Sequence, residues 1–255
     1  MMRAVAALLL WAFSWSALMA EEVVLGLSKD QVAITTSFDG SEILIFGAVK
    51  REEPIPGGPP LQVVLTISGP SEPVVVRRKD YRLGIWVNVD SVEVDQAPSF
   101  YAVATSAPLR EVLTDTEDLR HKITVNRAIR SVGAPSNITD SEQFTDAVIR
   151  IREKAGLYQL LEGQVAVDQQ TLFRTAIRMP AALTEGDYTT KIFLTRAGQV
   201  ISEYSTVIDV RKVGLERWLF TMSRQQPLLY GLMSLAIAIA AGWGASAAFR
   251  LLRNN

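Results

Sequence analysis

From Val23 to Thr105 the chain alternates short apolar runs with turn-forming breaks. The runs are Val23 to Leu27, Gln31 to Thr36, Glu42 to Val49, Leu61 to Ser68, Val74 to Lys79, Ile85 to Val89 and Phe100 to Thr105. Lys29-Asp30, Asp39-Gly40, Pro56 to Pro60, Gly69-Pro70 and Ala97-Pro98 separate them. Runs of this length, rich in Val and Ile and punctuated by Gly and Pro, predict about seven strands in an immunoglobulin-like sandwich. The period then changes. Ser106 and Pro108 open a first helical turn, and Asp140 to Ala155 predicts a longer helix, with Phe144, Ala147, Val148 and Ile151 on one stripe. Thr139 and Glu142 have the spacing of a capping box, and Arg150, Arg152 and Lys154 favour the negative end of the helix dipole. Strand patterns return at Glu162 to Asp168, Leu172 to Arg178, Tyr188 to Arg196 and Val200 to Val210, with Ala197-Gly198 as a two-residue hairpin turn. Gly186-Asp187-Tyr188 loosely matches a tyrosine-corner position.

The two ends follow a different pattern. Arg3 precedes an uncharged run from Ala4 to Ala20, and Glu21-Glu22 follow it. This is the layout of a secretory signal cut after Ala20, with an uncleaved signal anchor as the rival reading. Pro227 to Phe249 carries no charge and is closed by Arg250 and Arg253. At about 1.5 Å per residue it crosses a hydrocarbon core of about 30 Å as one helix. Ala236, Ala240, Gly244 and Ala248 recur every four residues, and Ala238, Gly242 and Ser246 form a neighbouring row. Such faces let helix backbones approach closely, although ordinary Ala-rich composition produces them too. Val213 to Arg224 predicts an interfacial helix with Trp218 as its anchor at headgroup level.

The expected organisation is mainly β: two immunoglobulin-like β-sandwich domains with a helical segment between or inserted, plus one C-terminal transmembrane helix. The boundaries are 1–20 for the signal, 21–106 for the first β domain, 107–156 for the helical connection and 157–212 for the second β domain, which shares helix 140–155. Residues 213–226 form the juxtamembrane helix, 227–249 the span and 250–255 the tail. Export orients the middle of the chain into the periplasm and leaves the tail in the cytoplasm. Local charge counting opposes this, because Arg211, Lys212, Arg217 and Arg224 precede the span and only Arg250 and Arg253 follow it.

Composition removes several kinds of chemistry. The 255 residues include no Cys and one His, which excludes zinc-thiolate, iron-sulfur and c-type haem sites, cysteine nucleophiles and poly-histidine metal sites. Lys+Arg 26 against Asp+Glu 27 is not the charge balance of a nucleic-acid binder, so no nucleic-acid partner and no cofactor are expected. His121, near Asp115, Glu117 and Asp118, is the one candidate general base, but no nucleophile motif accompanies it and a solvated surface position is favoured. Asp90, Glu93 and Asp95 lack the loop pattern of a calcium site, and Asn137-Ile138-Thr139 fits a glycosylation sequon by chance. Arg77, Arg78, Lys79 and Arg82 form the densest basic cluster, beside Trp86. In a strand Arg77 and Lys79 share one face and Arg78 takes the other. The cluster is therefore either a charged sheet edge or a surface for an anion or an acidic partner with Trp86 as anchor.

Gly26-Leu27-Ser28, Phe38-Asp39-Gly40 with Ile43 to Ala48, Arg77 to Lys79, Gly84 to Asn88 and the C-terminal span together resemble a family of transmembrane proteins of unknown function from alphaproteobacteria. The resemblance implies a single-span inner-membrane protein with a periplasmic ectodomain, a companion of sulfite-exporter-type permeases, and no catalytic residues. The expected function is a non-enzymatic, membrane-anchored interaction module whose partners are the bilayer and another envelope protein. A periplasmic small-anion receptor is the alternative.

Overall fold

The computed structural model describes residues 21–28, 31–34, 39–51, 54–55, 57–131, 138, 140–213 and 215–253. The expected signal (1–20), Thr139 of the expected capping box, and Asn137 and Thr139 of the sequon lie outside the described residues.

Up to Val210 the described chain is mainly β. In order it forms β1 (Glu22–Leu27), β2 (Gln31–Ile34), β3 (Ser41–Lys50), β4 (Gln62–Ser68), β5 (Ser71–Arg82), β6 (Ile85–Pro98) and β7 (Tyr101–Thr105). Four helices follow, α1 (Leu109–Val112), α2 (Asp115–His121), α3 (Val125–Ala128) and α4 (Ser141–Lys154). The strands β8 (Tyr158–Leu161), β9 (Ala166–Asp168), β10 (Leu172–Met179), β11 (Gly186–Arg196) and β12 (Gln199–Lys212) complete it. One sheet has the order β1-β3-β10-β9, a second the order β2-β12-β11-β4-β7-β8, and β5 and β6 form a two-stranded sheet, with Gln96 of β6 also bridging Arg130.

This topology corrects the expectation of two separate β domains. Strand β3 from the first half pairs with β10 from the second, and β4 lies between β7 and β11. Strands from 21–106 and 157–212 are thus interleaved in the same sheets. The physical reason is visible in β4, where Val63, Val64, Leu65, Thr66 and Ile67 are all buried. Burial of consecutive residues means that both faces of the strand are covered, so β4 is a central strand with a layer on each side. One layer is the β1-β3-β10-β9 sheet, whose inward residues Ile43, Ile45, Ile177 and Met179 are wholly buried while Leu44 and Phe46 on the opposite face are exposed. Each such aliphatic side chain contributes about 1.5–3 kcal/mol. The other layer is helical: Val64, Val103 and Phe193 pack with Val112, Leu113, Ile123, Val148 and Ile149 and with Val94 and Ala97 of β6.

The helices α1 to α4 form a crossover between β7 and β8, which pair in parallel from Tyr101↔Tyr158 to Ala104↔Leu161. A parallel pair requires a long connection of this kind. Tyr101 Oη donates to the Ile123 carbonyl at 2.8 Å and so holds the crossover to β7, while Tyr158 Oη donates to the Pro98 carbonyl at 2.8 Å and ties β8 to the end of β6. Burial pushes both phenols above their ordinary range. Tyr188, at the start of β11, donates to the Thr184 carbonyl at 2.8 Å, the hydrogen bond of a tyrosine corner.

The second unit comprises residues 33–38 and 211–255 and contains α5 (Leu215–Gln225) and α6 (Pro227–Arg253). The Gln226 N–H donates to the Met222 carbonyl at 2.9 Å and the Tyr230 N–H to the Gln226 carbonyl at 3.0 Å. Helical hydrogen bonding thus passes Pro227, which stands at the first position of α6, where its missing N–H costs least. Within α6, Pro227–Ser246 is a 20-residue apolar window with none of it buried. Its length matches a bilayer core of about 30 Å.

Candidate functional site

The densest basic cluster lies on the β5–β6 hairpin. At its base Val92, Val94 and Ala97 are buried in the core. Farther out both strands are exposed except at the half-buried Val87, from Lys79 and Asn88 to a two-residue turn at Leu83-Gly84, with Arg82 opposite Ile85. Leu83 and Gly84 have φ of 50° and 87°, the positive pair of a type I′ turn. Ala197 and Gly198 have φ of 51° and 77° and close the β11–β12 hairpin in the same way, as their spacing predicts.

The four basic side chains do not act together. Arg78 is the structural member: its two terminal nitrogens meet both oxygens of Asp140 at 2.8 and 2.9 Å, its Nε lies 3.3 Å from Asp90, and its guanidinium stacks 4.6 Å from the Phe144 ring centre. It thereby joins the hairpin to the start of α4. The hydrogen bonds from Arg78 hold the Asp140 carboxyl below the ordinary carboxylate range, and those to Asp140 raise Arg78. Asp140, at the N-cap of α4, makes no side-chain cap and spends its carboxylate on Arg78 instead. Arg82 Nε pairs with Asp80 at 3.1 Å. Arg77 and Lys79 are exposed and have no hydrogen bond or ion pair among the described residues. Arg78, Lys79 and Arg82 line one open hollow of 620 Å³, but Asp80 and Asp90 line it too. The surface expected for an anion is therefore largely neutralised by its own carboxylates. Trp86 is exposed at the tip and meets Tyr81 edge to face at 5.3 Å.

His121 is not a solvated surface residue. Its Nδ1 lies 3.2 Å from Glu203 Oε2, its Nε2 lies 3.5 Å from the buried Glu117, and its ring meets Phe193 at 5.4 Å. Burial disfavours the Glu203 carboxylate, but hydrogen bonds from Lys191 at 2.8 Å and from His121 outweigh it and lower the pKa. The imidazole bridges α2 to β12 through carboxylates. Asp90, Glu93 and Asp95 fall on β6, and Asp90 is taken up by Arg78. Among the described residues no three His, Asp or Glu side chains are grouped to hold a metal ion.

The sequence patterns singled out Trp86 but not its apolar neighbours at the tip, Tyr81, Leu83 and Ile85. Leu83, Trp86, Ile85 and Tyr81 are 105%, 67%, 63% and 58% exposed. Arg82-Leu83-Gly84-Ile85 carries a usable signal, a residue-Gly pair between two β-rich runs. In the helical unit, Ala236, Ala240 and Gly244 are exposed on α6, and a side chain built at Gly244 would meet nothing within 4 Å. The Ala248 side chain lies outside the described set. Trp218 is half exposed on α5, and Arg224 stacks over Phe220 at 5.5 Å.

A β-rich unit followed by an uncovered apolar helix of bilayer length defines a membrane protein with one candidate C-terminal span. The family model described as "Putative transmembrane protein (Alph_Pro_TM)" matches residues 22–251, nearly the whole chain, and the chain belongs to that family. A comparison with curated proteins gives no match.

Proposed function

We propose that this chain is a non-enzymatic accessory module of the bacterial envelope. A signal at residues 1–20 exports it, α6 anchors it in the inner membrane, the β unit lies in the periplasm and the short tail remains in the cytoplasm. Its partner is another integral membrane protein, and a sulfite-exporter-like permease is the candidate that the family resemblance supplies. The observation that carries this reading is the uncovered span. Among the described residues none of the Pro227–Ser246 window is buried, and Ala236, Ala240 and Gly244 offer a row of small residues where a second helix can approach closely. The side chains best suited to chemistry support the reading from the other side, since Arg78 and His121 are occupied by carboxylates.

Photo-crosslinking from position 240 in intact membranes tests it. One integral membrane protein crosslinks, and Gly244→Leu reduces the yield. Recovery of this chain alone refutes the partner. The anion-receptor alternative draws support from the unpaired Lys79 at the 620 Å³ hollow. Titration of the full chain with sulfite, sulfate, thiosulfate and taurine separates it from the first reading, because the accessory module binds none of them.

A further inference from the structure

Two hairpins in this molecule use the same turn geometry but end differently. The β11–β12 turn carries Ala197 and Gly198 and is docked, with the Thr114 N–H donating to the Gly198 carbonyl at 2.9 Å. The β5–β6 turn carries Leu83, fully exposed at φ 50°. A type I′ turn favours Asn, Asp or Gly at that position, because a left-handed backbone strains other side chains. Leu83 is thus unfavourable twice over, in its backbone and in its exposure to water, and packing within the chain compensates neither.

Such a local violation marks a function that lies outside the fold itself. Tyr81 and Trp86 occupy one face of the last rungs, Arg82 and Ile85 form the final pair, and Leu83 caps the turn. Apolar side chains therefore surround the turn, with Tyr81 and Trp86 on one face, Leu83 over the end and Ile85 on the other face beside the Arg82–Asp80 ion pair. At about 3.3 Å per residue the tip reaches some 7–10 Å beyond the Lys79–Asn88 rung. This is the depth at which interfacial segments bury their apolar side chains among lipid headgroups. Arg77 and Lys79 stand behind Tyr81 on the same face, exposed and without a charge partner among the described residues. Aromatic side chains at the interface with free cations just above them form the layering that an anionic bilayer surface selects.

We propose that the β5–β6 hairpin is a membrane-contacting element. Tyr81, Leu83, Ile85 and Trp86 enter the headgroup region of a bilayer, and Arg77 and Lys79 pair with anionic phospholipid headgroups. Lipid fits better than a protein groove because the apolar side chains surround the turn instead of forming one flat face, and the exposed Arg82–Asp80 pair beside Ile85 lies where headgroups and water still meet it. A fluid surface encloses that shape without a preformed cleft. The proposal goes beyond the accessory reading and does not depend on a protein partner.

The absence of Cys from the sequence makes the test clean. The full chain carrying Leu83→Cys, labelled with a polarity-sensitive fluorophore, is reconstituted into nanodiscs of phosphatidylcholine with or without phosphatidylglycerol. Vesicles of the same compositions are then added as a second bilayer. The label at position 83 shifts to the blue and is quenched by brominated lipid in one of these arms, whereas a label at Glu93→Cys, lower on the hairpin, does neither. Replacing Arg77 and Lys79 by Gln raises the phosphatidylglycerol needed for half the shift about fivefold for each charge removed. A water-like signal at position 83 in every lipid arm, with the fold intact by circular dichroism, overturns the proposal. So does a shift that requires native membrane proteins, or one that ignores loss of both cations. Crosslinking from position 240 reads the accessory function separately, so each can fail without the other.

Discussion

Glu21 immediately precedes β1 and is buried between two arginines, and replacing it with Gln isolates the energy of that junction. Arg51 Nε lies 2.7 Å and Arg196 Nη2 3.0 Å from Glu21 Oε1, and the side chains of Glu21 and Arg51 are 10% and 9% exposed. Arg51 also donates to the Gln170 carbonyl. The cluster thus ties the start of β1 in one sheet to the end of β11 in the other. Glu21→Gln keeps the shape and one acceptor oxygen but leaves two guanidiniums without a counter-charge. Breaking a buried pair costs about 3–5 kcal/mol. Because Arg51 retains the Gln170 carbonyl and Gln still accepts one bond, about 2–3 kcal/mol is expected, or roughly 5–10 °C in Tm. The pH dependence gives a second test. Burial raises the Glu21 pKa, but the bonds from Arg51 and Arg196 outweigh this, and the folded value lies below the ordinary 4.5. A depressed folded pKa means that the contribution is complete above the unfolded pKa and is lost as pH falls through the folded value. The gap between wild type and Glu21→Gln should therefore narrow below about pH 4.5. Urea unfolding of the full chain in mild detergent, followed by near-ultraviolet circular dichroism at pH 7 and in acid, measures both. A loss under about 0.5 kcal/mol at neutral pH, or one independent of pH, refutes the assignment.

Two further perturbations probe the packing. A methyl at Gly47 would lie 2.4 Å from Phe173 Cζ and 2.9 Å from the Val24 carbonyl oxygen, so Gly47→Ala costs about 1–3 kcal/mol, read as a lower urea midpoint with an unchanged slope. Tyr188→Phe removes the bond to the Thr184 carbonyl from a fully buried ring, and a loss of about 1 kcal/mol in the same assay is expected, with native near-ultraviolet signals retained at pH 7.

Much of the architecture was legible because it depends on local patterns. The Ala197-Gly198 turn, the helix at 140–155 and the C-terminal apolar helix each follow from spacing and composition within a few residues of one another. The opposition of Arg77 and Arg78 follows equally from strand alternation, and the exposure of one against the half-burial of the other agrees with it.

What tertiary structure alone decided is which strands are neighbours and which charges are spent. Strand β4 reads as an isolated apolar run, yet its partners β7 and β11 lie far along the chain, and this long-range pairing makes one interleaved sandwich of two expected domains. Arg78 and Asp140 are 62 residues apart, and His121 and Glu203 are 82 apart. No local period encodes such separations, because side-chain alternation specifies the face of a strand and not the identity of the element across from it. The free cations Arg77 and Lys79, and the bare apolar tip beyond them, became recognisable once the fold had claimed their neighbours.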